Sequence, residues 1–158
     1  MAGLDGYGRG VPVSVDAQGR TYPPTRPYRV SAEKIAEFAA ALGDDNPAYR
    51  GPEPVAPPTF AAVIAAQAWG ALFDDPELDV ALARTIHADQ SFEWSRQLKA
   101  GDEVTAVLTL DRVRTRGPME MITVATAIAT TDGEPICTAR SQLIHTRPAS
   151  DSSPEVHA

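Results

Sequence analysis

Three stretches of this chain bring together side chains that could move protons or hold a developing charge. The first is Gly43-Asp44-Asp45-Asn46-Pro47-Ala48-Tyr49, a helix stop that delivers a carboxylate, an amide and a phenol in one short turn. Acid–base chemistry needs such groups, and so does an ordinary turn, where Asp44 and Asn46 bind nearby backbone. The second is Ala56-Pro57-Pro58-Thr59-Phe60. A proline pair suits the start of a helix, where unbonded N–H groups and the helix dipole attract negative charge. Those groups could hold a thioester oxygen as charge develops on it, or the segment is a plain proline-started helix. The third is His87 with Asp89, which strand alternation assigns to a polar face, a place for a solvated or interface histidine. His145 and His157 have still weaker surroundings. There is no GxSxG, Cys137 lies in a strand interior without a basic neighbour, and neither a phosphate loop nor a metal-ligand spacing appears. No cofactor and no metal are expected.

The element that must position the first two stretches runs from Pro57 to Phe73, PPTFAAVIAAQAWGALF. Between Phe60 and Phe73 the only strongly polar head is Gln67, and a helix apolar nearly all round belongs inside a core. Its span of roughly 21 Å falls short of the ~30 Å hydrocarbon core of a membrane. Ahead of it, Ser31 is an N-cap for a helix over Ala32–Leu42, with Ile35, Phe38, Ala39 and Leu42 on one stripe and Gly43 as its left-handed stop.

From Ala83 onward the period is two. Ile86, Ala88, Phe92 and Trp94 share one face, and His87, Asp89, Ser91 and Glu93 the other. Val104, Ala106, Leu108 and Leu110, then Ile122, Val124 and Ile128, then Cys137, Ala139 and Leu143 alternate between turns at Gly101-Asp102, Gly117-Pro118 and Thr131-Asp132-Gly133. Four consecutive strands predict an antiparallel meander, and the only helix apolar enough to cover it is the central one. That is an α+β chain with a single hot-dog fold, an antiparallel sheet wrapped around a long central helix. Thr21–Val30, with three prolines, reads as an edge strand or an extended lead-in. Residues 1–19 are expected to be a flexible arm, 20–147 the domain, and 148–158 a polar tail.

A length of 158 residues makes one domain, and 43% hydrophobic content fills one core. A formal charge of −7 argues against a nucleic-acid partner. Arg112, Arg114 and Arg116 alternate along a strand and read as a solvated face. One cysteine excludes an intrachain disulfide. The opening MAGLDGYGRG has no apolar signal region, so the cytoplasm follows by default, with no membrane partner.

Taken together, Gly43-Asp44-x-Asn46-Pro47-x-Tyr49, Ala56-Pro57-Pro58-Thr59-Phe60, His87-x-Asp89-Gln90-x-Phe92-x-Trp94 and Gly101-Asp102 resemble the MaoC-like hot-dog dehydratases and (R)-specific enoyl hydratases. More narrowly, they are similar to the actinobacterial HadA-type, N-terminal subunit of (3R)-hydroxyacyl-ACP dehydratase. The likeness runs from about Arg20 to Arg147. In that family a GDxNPxH motif supplies the mechanism: the histidine handles the α-proton of an acyl thioester, the aspartate handles the water, and the central helix polarises the carbonyl. An aligned base is worth roughly 10²–10⁴ in rate. Here Asp44, Asn46 and Pro47 match, while Tyr49 stands at the histidine position. A phenol with a reference pKa near ~10 is a poor base at neutral pH.

The resemblance therefore implies a dyad-deficient subunit that shapes the acyl channel and pairs with a catalytic hot-dog chain, taking its substrate from an acyl carrier protein. Asp44 and Tyr49 would hold the vestigial dyad positions, and Asn46, Pro58, Thr59, Phe60 and Trp69 would contact substrate. The Arg50–Val55 loop is shorter than the insertion usual in that subfamily. A self-sufficient homodimeric hydratase or thioesterase, and a non-catalytic acyl-binding protein, are the alternatives.

Overall fold

The computed structural model describes residues 12–148. Five antiparallel strands form its sheet: β1 (Tyr28–Arg29), β2 (Thr85–Trp94), β3 (Glu103–Arg116), β4 (Met119–Thr130) and β5 (Pro135–Thr146). Their spatial order is β1-β3-β4-β5-β2. The hairpins β3–β4 and β4–β5 are those the turn residues predict. The four-strand meander is not: β2 lies beside β5, with Trp94 opposite Cys137 and Thr85 opposite His145. The reason is that the free edge of β3 is already taken. The segment leading into β1 runs along it, with Gly19, Tyr22 and Thr25 N–H groups donating to the carbonyls of Leu110, Leu108 and Ala106 at 2.8, 2.9 and 2.9 Å. Alternation tells a strand which face is buried and leaves its neighbour open.

That lead-in also corrects the expected arm. Residues 12–19 are part of the domain: Val13 and Ala17 are buried, a 3-10 turn spans Val15–Ala17, and the Val13 N–H donates to Glu120 Oε1 at 2.6 Å. Residues 1–11 and 149–158, the rest of the expected arm and tail, lie outside the described residues.

Helix α1 (Ala32–Leu42) has the predicted ends. Ser31 Oγ accepts the Lys34 N–H at 3.2 Å, and Gly43 stops the helix at φ 67°. Ile35 and Ala39 are buried and Phe38 packs at the core's edge, but Leu42 is exposed, so the stripe is one residue shorter than expected. The central helix is not one long helix. It is a 3-10 turn at Pro58–Phe60, then α2 (Ala61–Gln67) and α3 (Trp69–Phe73), parted at Ala68. There the N–H bonds back to Ala65 O at 3.1 Å, a three-residue step, and Gly70 just beyond is a weak helix former.

Phe60, Ala61, Ile64, Ala65, Ala68 and Leu72 bury themselves among Leu108, Ile122, Val124 and Leu143 of the sheet. The opposite side of the helix is open: Val63, Ala66, Gln67 and Gly70 are exposed. The apolar composition is thus used on one side within this chain, and the other side is uncovered. Among the described residues no helix is long and apolar enough to cross a membrane.

Candidate active site

The turn after α1 is built from nested hydrogen bonds. Gly43 reverses the chain and leaves Asp44 half-buried at the helix end. Asp44 Oδ1 accepts the Asn46 N–H at 3.1 Å, and Asn46 Oδ1 accepts the Ala48 N–H at 3.0 Å, capping a 3-10 turn at Pro47–Tyr49. Both polar side chains therefore hold the turn. The Tyr49 side chain is buried, 7% exposed. Burial pushes its phenol above the ordinary tyrosine range, and the Asp44 carboxylate beside it pushes further. A phenol so placed keeps its proton at neutral pH.

The loop from that turn to the helix is pinned along its length. The Val55 N–H donates to Ala48 O at 3.0 Å, the Ala56 N–H to Leu98 O at 2.7 Å, and the Ala100 N–H to Pro54 O at 2.9 Å. At the helix entrance Pro57 and Pro58 have no N–H, and the Phe60 N–H is taken by Pro57 O at 2.9 Å. Exposed Thr59 supplies the first backbone N–H there.

Two hollows flank this entrance. One, of about 220 Å³, is lined by Ala56, Pro58, Trp94, Gln97 and Leu98. The other is an open groove of about 360 Å³ over Tyr28, Phe38, Phe60 and Val63, with the Lys34–Glu37 ion pair (2.7 Å) on its rim. Phe60 meets Phe38 edge-on, ring centroids 5.2 Å apart. Trp69 lines neither hollow. It stands at the start of α3, its ring edge-on to His87 at 4.9 Å, and its indole nitrogen is buried without a partner among the described residues. The sequence-selected residues therefore fall into three places: Asp44, Asn46 and Tyr49 in the turn, Pro58, Thr59 and Phe60 at the entrance, and Trp69 further along.

His87 is not on the polar face. Ala88 is a bulge: His87 pairs with Leu143 and Asp89 with Gln142, so Ala88 has no opposite number. The extra residue shifts the phase, which puts His87 on the helix side with Gln90, Phe92 and Trp94 and turns Ile86 outward, 65% exposed.

Two further polar clusters are structural. His145 Nδ1 lies 2.9 Å from Glu120 Oε2, and His145 Nε2 accepts the Ala81 N–H at 3.3 Å, which places the ring proton on Nδ1. With Val13 on the other Glu120 oxygen, the pair ties two loop segments to the sheet and is sealed from solvent. Sequence reasoning passed over Glu120, although its phase with Ile122 and Val124 marks it as inward-facing. Asp102, of the Gly101-Asp102 motif, takes a bidentate pair of bonds from Arg96 (2.8 and 3.0 Å) and the Lys99 N–H at 2.9 Å. Burial pushes its carboxyl up, but these donors outweigh that and hold it below the usual range.

Residues 16–139 match the family model described as FAS1-like, dehydratase domain region. A UPF0336 protein of Cutibacterium acnes is 58% identical over 130 residues, covering 82% of this chain and 92% of that protein. Another, of Saccharopolyspora erythraea, is 38% identical over 154 residues, 92% of this chain and 99% of that one. Among solved structures, a chain of the HadBC (3R-hydroxyacyl-ACP dehydratase) complex from Mycobacterium tuberculosis aligns with a TM-score of 0.71 at 26% identity, covering 82% of this chain and 97% of that chain. A MaoC-like dehydratase aligns with a TM-score of 0.73 at 25% identity, covering 83% of this chain and 42% of that chain. The curled antiparallel sheet around a helix is the hot-dog fold of those proteins. With most of its length matched, this chain belongs to the FAS1-like dehydratase-region family of MaoC-like hot-dog proteins.

Proposed function

We propose that this chain is the substrate-binding, dyad-deficient subunit of a heteromeric (R)-3-hydroxyacyl-thioester dehydratase, working on acyl carrier protein in fatty-acid or polyketide synthesis. Dehydration takes a proton from C2 of the thioester and expels the C3 hydroxyl as water, so one group must accept a proton and another must give one. The observation that carries the reading is Tyr49. At the position of the family histidine stands a phenol whose proton is held more tightly than usual, next to Asp44. A second chain must then bring the imidazole.

Three features support that partner. Among the described residues the outer edge of β2 is unpaired, whereas the opposite edge is covered by the proline-rich lead-in. The outer side of α2 leaves Val63 exposed in this chain. The HadBC neighbour is itself a complex of two subunits. In the assembled enzyme the Thr59 N–H would face the thioester oxygen, and the hollow at Pro58 and Trp94 would take the start of the acyl chain.

Co-expression with a hot-dog chain carrying both Asp and His, followed by pull-down and a crotonyl-thioester hydration assay, tests this. The expected result is no turnover by this chain alone and turnover by the complex. Robust hydration by the purified chain, abolished by Asp44→Asn, would instead make it a self-sufficient homodimeric enzyme.

A further inference from the structure

The outer face of the sheet, away from the helix, carries a charge pattern that dehydration does not use. A bulge at Asp111, between the pairs Leu110–Val124 and Arg112–Thr123, sets the phase of the end of β3 and turns Arg112, Arg114 and Arg116 outward. All three are exposed, and none has an ion-pair partner among the described residues. Arg20, Arg50, Arg96 and Arg140, by contrast, each meet a carboxylate. Same-face neighbours on a strand stand about 6.8 Å apart, so three like charges lie in a column. They do so on a chain whose formal charge is −7.

An apolar strip lies beside the column. Arg116 pairs with Met119 and Arg114 with Met121, Met121 pairs with Ile144, and Ile144 pairs with Ile86. These side chains all share the outer face; Met119 is 43% exposed and Ile86 65%. The solvent face of an antiparallel sheet is usually polar, so an apolar strip edged by unpaired arginines marks a surface with something to bind.

We propose that this face docks an acidic amphipathic helix of a partner protein. Carboxylates at i, i+4 and i+8 of a helix recur about every 6 Å, close to the arginine spacing, and each guanidinium can hold a carboxylate with two parallel bonds. The apolar flank of the same helix then covers Met119, Met121 and Ile144. A second copy of this chain docked about a two-fold through the column would set arginines against arginines. A nucleic acid would meet three favourable charges on an otherwise acidic molecule. The inference stands whether or not the chain is a dehydratase subunit.

The test is titration of the isotope-labelled full chain with a synthetic helical peptide carrying Glu at i, i+4 and i+8 and Leu on the adjoining flank. NMR shift mapping locates the peptide, and fluorescence anisotropy gives its affinity. Shifts should fall on residues 112–123 and 142–146. Affinity should drop roughly tenfold or more in the triple variant R112Q/R114Q/R116Q, and several-fold in Met121→Ser, with thermal unfolding unchanged. A peptide with Gln for Glu should not bind. The proposal is overturned by no saturable binding, by shifts elsewhere, or by polyglutamate binding as tightly as the peptide with Met121 irrelevant.

Discussion

Asp44 works differently beside a phenol than beside an imidazole. Its carboxylate has a structural task already, holding the Asn46 N–H, and the buried Tyr49 ring carries a hydroxyl and no basic nitrogen. Installing a histidine is not enough to complete a dyad, since a catalytic imidazole also needs an acceptor that orients its other N–H. Tyr49→His is therefore expected to leave hydration of crotonyl thioester by the isolated chain at background; full activity would show that the site lacks only that side chain. The other histidine–carboxylate contact makes the opposite point. Glu120 and His145 have the right chemistry for proton transfer and no access to a substrate, each being about 1% exposed. Glu120→Ala strands the Val13 N–H and the His145 ring proton in the interior, at a cost of about 2–4 kcal/mol. Urea unfolding read by tryptophan fluorescence should show the lower midpoint, with binding of the proposed catalytic partner retained below the transition.

At the scale of elements, the site depends on how α1 ends. Gly43 sits at φ 67°, and a methyl group added there would meet no atom within 4 Å. The penalty for Gly43→Ala is thus purely conformational, about 1 kcal/mol, and should appear as a small loss of stability in denaturant melts. Because the same residue aims Asp44 and the turn behind it, the larger effect should fall on the affinity of the proposed dehydratase complex for its substrate. The bulge at Ala88 has a comparable reach: one unpaired residue moves His87 beneath Trp69 and pushes Ile86 outward. The break at Ala68 leaves the two pieces of the central helix to pack separately on the sheet.

Across the whole molecule, the crossing from β2 to β3 is locked by charge. Arg96 reaches both Asp102 and Glu134, and Arg20 holds Asp75 at 2.6 Å beside the Tyr22 hydroxyl at 2.7 Å. Burial pushes the Asp102 and Asp75 carboxyls up, and their donors overcome it, so both titrate below the ordinary value of 3.8. A carboxyl with a depressed folded value stabilises fully above the ordinary one, and the gain drains away as pH falls through the folded value. The contribution of these two carboxyls to stability should accordingly be flat from neutral pH down to about 4 and fall below it. Asp102→Asn should lower stability at neutral pH and flatten that acid limb, measured as denaturation midpoints at two pH values. The uneven edges make a second expectation at this scale. The β2 edge should be protected from amide exchange only in a complex, while the β3 edge, covered by residues 19–25, should be protected in the free chain.

What was legible in the residues was what local chemistry decides. Ser31 and Gly43 bound α1 because a cap and a left-handed stop act within a few residues. Val104, Ile122 and Leu143 faced inward because alternation is a property of a single strand. The phenol at position 49 could be read without any structure. Pairing partners could not, because the neighbour of β2 depends on which edges are left free once the lead-in lies along β3. The face of His87 and the meeting of Glu120 with His145 were likewise hidden: a bulge and a cross-strand register exist only between strands. The separation of Trp69 from the helix entrance followed from helical rise along a broken helix. The chain by itself thus determined most of its elements, most of its buried faces and the phenol at position 49; only the assembled sheet decided which of its side chains came to stand together, because contacts between distant residues are set by which edges remain free.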